Sequence, residues 1–320
     1  MPSSSVVYQS IEVDPDETSI DSSSTSLASS IFKYQYRHGR RYASARNGNY
    51  LFPNDDPEQD RLNMVHHTYF RILNDRLFLC PIDLTNKRVL DIGTGTGAWA
   101  IDVGDRYPSA ESITGVDISP IQPSWVPPNV KFYIDDVEAD WVGQTYDFIH
   151  CRYMAGSISD WPRLVRQCYN NLKPGGWIEF HETANVMYSE DGSLDANGPI
   201  MTMMNGLMLA CDMIGQTMDP APKIKGWVED AGFVNVTEQR FKLPVGSWPR
   251  DERLKECGSL LRVNFVEGVD AFTAALYTEV LGWKREEVLV LNEQVRKEAV
   301  DGSVHAIFDF LVIIAQKPAQ

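Results

Sequence analysis

Residues 88–104, RVLDIGTGTGAWAIDVG, set an apolar run against an aspartate, three alternate glycines and a helix start. Glycines at Gly93, Gly95 and Gly97 let a ligand approach the backbone, and the helix N-terminus beyond them offers free amides. On its own this loop suits dinucleotides and other nucleoside-bearing cofactors alike. Three carboxylates narrow the choice. Asp91 ends the strand before the glycines, where it repels a pyrophosphate and attracts an amino group or a sulfonium. Asp117 ends the next strand in GVDIS, placed to accept hydrogen bonds from ribose hydroxyls, a role that fits NAD equally well. Asp136 in IDDVEADW ends a third strand, within reach of an adenine amino group. The set points to S-adenosylmethionine.

A methyl transfer needs a base only when the acceptor arrives protonated. His181, in GGWIEFHE, is the first candidate, because the strand pattern puts it at the C-terminal end beside the cleft and imidazole titrates near neutrality. Its alternative is a packing or substrate-orienting role. His66 and His67 are adjacent on a helix and cannot share a face, so at most one reaches the cleft. The six histidines form neither HxxxH nor HExxH, so no metal site is expected.

The elements that hold these residues alternate. Strands are expected at 87–92, 111–119, 130–136, 145–151 and 175–182, with helices at 96–107 and 161–172. This is the rhythm of a parallel sheet with helices on both faces. A helix at 224–233 leads into a strand at 233–243, and AIFDFLVIIA (306–315) is a last buried strand. Before the glycine loop, 55–80 reads as one long helix capped by Asp55 or Asp56, with Pro57 in its first turn and Leu62, Val65, Tyr69, Ile72, Arg76 and Leu79 on one face. Two helices and a third are expected between 250 and 300. MTMMNGLMLACDMIG (201–215) is either an adaptable apolar wall or, at helical spacing, core.

Composition sets the outer bounds. The 320 residues carry 29 basic and 44 acidic side chains, a formal net charge of −15, which argues against nucleic acid as main partner. KYQYRHGRRYASARNGNY (33–50) is the exception, basic and aromatic, and it is expected to close over the body of the protein. The first 30 residues hold eleven serines and no Lys or Arg, a composition for a disordered tail. Five scattered cysteines without a CxxC suggest reduced, buried thiols, and no apolar stretch is long enough to span a membrane. The expected division is a tail at 1–30, a helical collar or lid at 31–86, and a catalytic domain at 87–320 with a helical cover at 183–220 and 245–300. Cytoplasm is the default location, the nucleus remaining open.

VLDIGTGTGAWA with GVDIS, DD, YDFIHCR and LKPGGWIEF resembles the class I S-adenosylmethionine-dependent methyltransferases. NGNYLFPNDDPEQDRLNMVHH, LKECG, LGW and GSVHAIFDFLVIIAQKP resemble, more narrowly, the fungal LaeA-like group. The resemblance implies an α/β, Rossmann-like fold with a seven-stranded, mostly parallel sheet and an antiparallel last strand. It implies that Gly93, Gly95 and Gly97 lie under the cofactor, with Asp91 and Thr94 beside them. Asp117 and Ile118 would meet the ribose, Asp136 and Val137 the adenine, and Arg152 the methionine end. Tyr42, Tyr50 and the helix bearing Arg61, His66 and His67 would fold over the top. The implied activity is methyl transfer, O-methylation first, to a small natural-product acceptor. A LaeA-like regulator acting through velvet-type protein partners, and a methyltransferase fold recruited for non-methyl chemistry, are the rivals. No nucleic acid or membrane is called for, and the helical cover leaves room for a homodimer contact.

Overall fold

The computed structural model describes residues 34–43 and 50–319. The serine-rich tail and residues 44–49 of the basic-aromatic segment lie outside these. The described part of that segment is a hairpin, β1 (Gln35–Arg37) and β2 (Arg40–Tyr42), unforeseen from sequence. His38 and Gly39 turn it with φ of 52° and 77°, the paired positive values that suit the twist of a two-residue hairpin.

Helix α1 (Asp56–Ile72) starts as expected, with the Asp55 carboxylate accepting from the Glu58 N–H at 3.3 Å and proline in its first turn. It does not run to residue 80. Asn74 and Asp75 adopt φ of 57° and 59°, left-handed values that end the helix, so Arg76 and Leu79 fall beyond it.

The main sheet comprises β3 (Arg88–Ile92), β4 (Ser112–Asp117), β5 (Val130–Ile134), β6 (Tyr146–Arg152), β7 (Leu172–Tyr188), β8 (Val234–Pro244) and β9 (Ile307–Gln316). Its order is β5-β4-β3-β6-β7-β9-β8. β3, β4, β5, β6 and β7 pair in parallel, whereas β9 runs antiparallel to both β7 and β8. Helices α2 (Ala98–Arg106), α3 (Trp161–Asn171) and α5 (Ala221–Asp230) flank it. The continuous apolar run of β9 follows from its double burial. Phe310, Val312 and Ile314 join the core on one face, and Leu311, Ile313 and Ala315 the core on the other. All five cysteines are buried and unbridged. Among the described residues no helix is long and apolar enough to cross a membrane.

The cover consists of α4 (Pro199–Met213), α6 (Glu252–Ala275) and α7 (Arg285–Val300). α6 is one helix where two were expected, since nothing between Val269 and Asp270 breaks it, and it passes into a single π-helical turn at Leu276–Val280. One further correction concerns the cover. β7 continues to Tyr188, so the expected cover segment at 183–220 begins as strand. The methionine-rich helix is core on its inner side, with Met203 and Met204 buried. Trp227 and Trp283 are packing residues, set against Trp161 and Tyr277.

Gly258 of the LKECG motif seats α6 against the end of β8. A Cβ there would lie 2.1 Å from the Gly246 carbonyl oxygen, which belongs to backbone that cannot rotate away. Gly258→Ala is expected to lose about 1–3 kcal/mol of stability through overpacking. Gly226→Ala, in a helix with nothing within 4 Å of the new methyl, is expected to gain up to about 1 kcal/mol. Urea unfolding of both variants checks the pair, and an undiminished midpoint for Gly258→Ala would contradict the contact.

Candidate active site

The carboxyl ends of β3, β4, β5 and β6 open into a cavity of about 660 Å³, roofed by α1, by Tyr50 and Phe52 and by Phe272 of α6. This is the crevice where open parallel sheets bind ligands. Gly93, Gly95 and Gly97 have φ of 64°, 57° and 80°. A Cβ on Gly93 would strike the Met154 sulfur at 2.0 Å, while one on Gly95 would find only Leu62 at 3.8 Å. Gly97 does not line the cavity. It packs behind the loop, where a Cβ would meet the Phe132 ring at 2.4 Å, so its absent side chain serves strand–helix packing.

The acidic residues converge as the sequence indicates. Asp91 ends β3 and takes the Thr94 hydroxyl at 2.6 Å and His150 Nδ1 at 2.8 Å. Asp117 accepts the N–H groups of Gly95 and Ser119, each at 2.8 Å, which fixes it beside the glycines. Burial pushes both carboxyls up to about 6, against the pull of these hydrogen bonds. Asp136 accepts the Glu138 N–H at 2.9 Å, and Val137 closes the wall beside it. Ile118 and Tyr50 also line the cavity. Six carboxylates (Glu58, Asp91, Asp117, Asp135, Asp136, Glu138) face two guanidinium groups, Arg61 and Arg152. Such a wall disfavours pyrophosphate and favours a cation. The open cradle above Gly95 and these carboxylates fit S-adenosylmethionine. Asp117 would hold its ribose, Asp136 and Val137 its adenine, and Asp91 and Arg152 its amino-acid end.

The three expected bases are rearranged. His181 is sealed inside the sheet, bonded to Glu179 at 2.5 Å and to His150 at 3.5 Å, and does not reach the cavity. The reason is strand length: β7 runs to Tyr188, so His181 lies in mid-strand rather than at an end. His67 points outward beside Glu256, 3.7 Å away. His66 does line the cavity, but both ring nitrogens are engaged. Nε2 donates to Asp102 at 2.9 Å, leaving the Nδ1 lone pair to accept from Arg152 at 2.9 Å. Burial holds this imidazole below its usual range and therefore neutral. Its place in the site is to aim Arg152.

Tyr50 and the helix bearing Arg61 roof the cavity as the resemblance implied, whereas the bonding that holds Arg61 in place, and the part played by Tyr153, escaped sequence reasoning. Arg61 is buried, doubly bonded to Glu58 at 2.8 and 2.5 Å, and donates to the Tyr153 hydroxyl at 3.2 Å and Asn264 at 2.7 Å. Gly268 of α6 leaves the space its side chain crosses, since a Cβ would lie 2.9 Å from Arg61 Cδ. The Glu58–Arg61 spacing on an otherwise apolar helix face was the available signal. Tyr153, with φ of 60°, carries no local signal. Of the expected cover at 183–220 and 245–300, only Asn185, Gln216, Met218 and Phe272 line the cavity. Tyr42 is fully buried away from the cavity under Arg37. Arg37 pairs with Glu279 and Arg40 with Asp55, and His38 Nε2 lies 2.8 Å from Glu279, which ties these collar residues to the body of the protein.

The methyltransferase domain family matches residues 36–238, across the boundary expected at 86. Over 311 residues the chain is 64% identical to the methyltransferase pytC of Aspergillus terreus, covering 96% of each chain. It is 32% identical over 291 residues to the secondary metabolism regulator LAE1 of Cochliobolus heterostrophus, covering 88% of this chain and 94% of that one. It is 32% identical over 295 residues to the protein-methionine methyltransferase laeA of Emericella nidulans, covering 89% and 77%.

Removing the Asp117 carboxylate deletes a charged hydrogen-bond acceptor, an interaction of about 1.5–3 kcal/mol. Asp117→Ala is expected to weaken S-adenosylhomocysteine binding roughly ten- to hundredfold by calorimetry. An unchanged affinity in a folded variant would move the ribose contact elsewhere.

Proposed function

This chain belongs to the methyltransferase domain family, and from that premise we propose that it methylates an oxygen atom of a small natural-product acceptor. Its cofactor is S-adenosylmethionine, which when bound supplies a methyl group on a cationic sulfur, open to in-line displacement. The protein's contribution is alignment and the exclusion of water.

The mixed lining of the cavity carries the reading: beside the carboxylates and glycines stand Tyr50, Phe52, Tyr153, Met218 and Phe272. A volume of about 660 Å³ lies within the roughly 300–1,000 Å³ of sites for drug-sized molecules. That supports an acceptor of small-molecule size with apolar, aromatic character. The engaged state of His66 favours a hydroxyl acidic enough to lose its proton before transfer, such as a phenol or an enol, since the ring has no lone pair left for a base's task. Tyr153 accepts from Arg61, so its own O–H is left to donate to an oxygen in the cavity. Arg61 behind it makes that phenol a better donor. The setting in secondary metabolism rests on the similarity to LAE1 and laeA. The same similarity favours a second reading, methylation of a protein within a regulatory complex.

Methyl-labelled S-adenosylmethionine, added to the protein with an extract of the producing organism, separates the two. The expected outcome is label in the organic-soluble fraction, absent with Gly95→Asp. With the acceptor in hand, Tyr153→Phe is expected to lower kcat/KM roughly ten- to hundredfold, the worth of a hydrogen bond to a charged oxygen. Label confined to the protein fraction would sink the small-molecule reading in favour of the second.

A further inference from the structure

Behind the cavity floor four ionisable side chains stand in line through the sheet. Asp91 Oδ1 meets His150 Nδ1 at 2.8 Å, His150 Nε2 meets His181 Nδ1 at 3.5 Å, and His181 Nε2 meets Glu179 Oε1 at 2.5 Å. Glu179 also accepts the backbone N–H groups of Leu79 at 2.8 Å and Cys80 at 2.6 Å, which hold it as an acceptor. His150, His181 and Glu179 are fully buried and Asp91 is 3% exposed. Trp99 stacks on the His150 ring at 3.7 Å, and Phe310 abuts His181. Only the Asp91 end of the line touches the cavity.

A proton count follows from the three contacts. Each joins two atoms bearing lone pairs, so each needs one hydrogen between them. Two neutral imidazoles supply two, and two ionised carboxylates supply none. Filling all three contacts therefore takes one proton more. Without it, a lone pair faces a lone pair where no water can intervene, a situation buried polar groups avoid.

We propose that Asp91, His150, His181 and Glu179 form a proton relay whose shared proton rests on Asp91 when no cation occupies the cavity and moves onto the imidazole pair when a cationic ligand binds. His150 and His181 are positioning residues, acting through Asp91. In the first state the Asp91 O–H donates to His150 Nδ1, His150 Nε2–H to His181 Nδ1, and His181 Nε2–H to Glu179. In the second the O–H bond of Asp91 breaks as N–H forms at His150 Nδ1. The positive charge stays there, or passes on as His150 releases its Nε2 proton to His181 Nδ1. No proton enters or leaves.

The surroundings suit both states. Asp91 is faced by Arg152 and His150 from β6, His66 from α1, Asp117 from β4 and the Thr94 hydroxyl, while Glu179 is faced by the Cys80 thiol. Burial raises the Asp91 carboxyl to about 6, and burial with His181 and Arg152 nearby holds His150 well below the ordinary imidazole range. Between the two, Asp91 rather than His150 is thus the holder of the shared proton in the free cavity. A cation beside Asp91 reverses the preference by direct Coulomb attraction.

The relay rests on the cofactor reading, which the heat of S-adenosylmethionine binding tests separately. Nitrogen-15 histidine NMR of the whole chain at pH 6, with and without S-adenosylmethionine, reads the proton itself. His150→Asn and His181→Gln assign the signals. The expected result is two protonated nitrogens of the four in these rings in the free protein and three in the complex. In His150→Asn the His181 signals no longer respond to ligand. A count that is the same with and without S-adenosylmethionine overturns the relay, and this reading of the wild-type chain stands even if a variant fails to fold.

Discussion

A carboxylate held almost out of water at the end of a central strand governs this architecture. Asp91 is the last polar residue of β3 before the glycines, and burial raises its affinity for a proton. A group so placed is tolerable only when its oxygens are bonded, and the surrounding structure does this from several directions. The loop supplies the Thr94 hydroxyl, β6 supplies His150, and α1 supplies His66, which holds Arg152 nearby. Each partner comes from a different element, so the carboxylate fixes how these elements stand to one another.

The roof obeys a similar constraint with the opposite charge. Arg61 is buried on α1, and its neutralisation by Glu58 on the same helix lets α1 pack against α6 without leaving a charge unpaired. Asn264 and the Phe272 ring, both on α6, complete its surroundings. Gly268 clears the path between them. At the cavity itself the collar and the cover are therefore joined through the Arg61 guanidinium.

What was legible in the sequence was whatever depends on near neighbours. Gly93 and Gly95, the carboxylates Asp91 and Asp117, and the cap of α1 are set by spacing and lie where the residues indicate, while Asp136 reaches the cavity from just beyond β5 and Gly97 packs behind the loop. The seven strands and the reversed β9 came through a resemblance, since local pattern does not distinguish a parallel from an antiparallel partner. Residues whose meaning depends on distant partners were illegible. His181 looks like a cleft base because GGWIEFHE ends in polar residues. The chain nevertheless stays extended to Tyr188, and Glu179, two residues earlier on the same face, takes up the imidazole. Tyr153 and Phe272 have no local mark at all; one depends on a left-handed turn after β6, the other on how α6 crosses α1.

The position of β9 has a consequence for how the molecule comes together. β8 pairs in the main sheet with β9 alone, and β9 lies between it and β7. Until residues 307–316 have been synthesised, β7 presents an open edge and β8 has no partner in the sheet. The cofactor end, built from β3 to β6, is complete in sequence by Arg152, whereas the acceptor end awaits α6 and the strand that follows the cover. Late, long-range closure of this kind is slow and leaves hydrophobic edges exposed meanwhile. The nascent chain thus holds β3 to β6 before the sheet can close, and a ligand bound by that half would stabilise it ahead of closure.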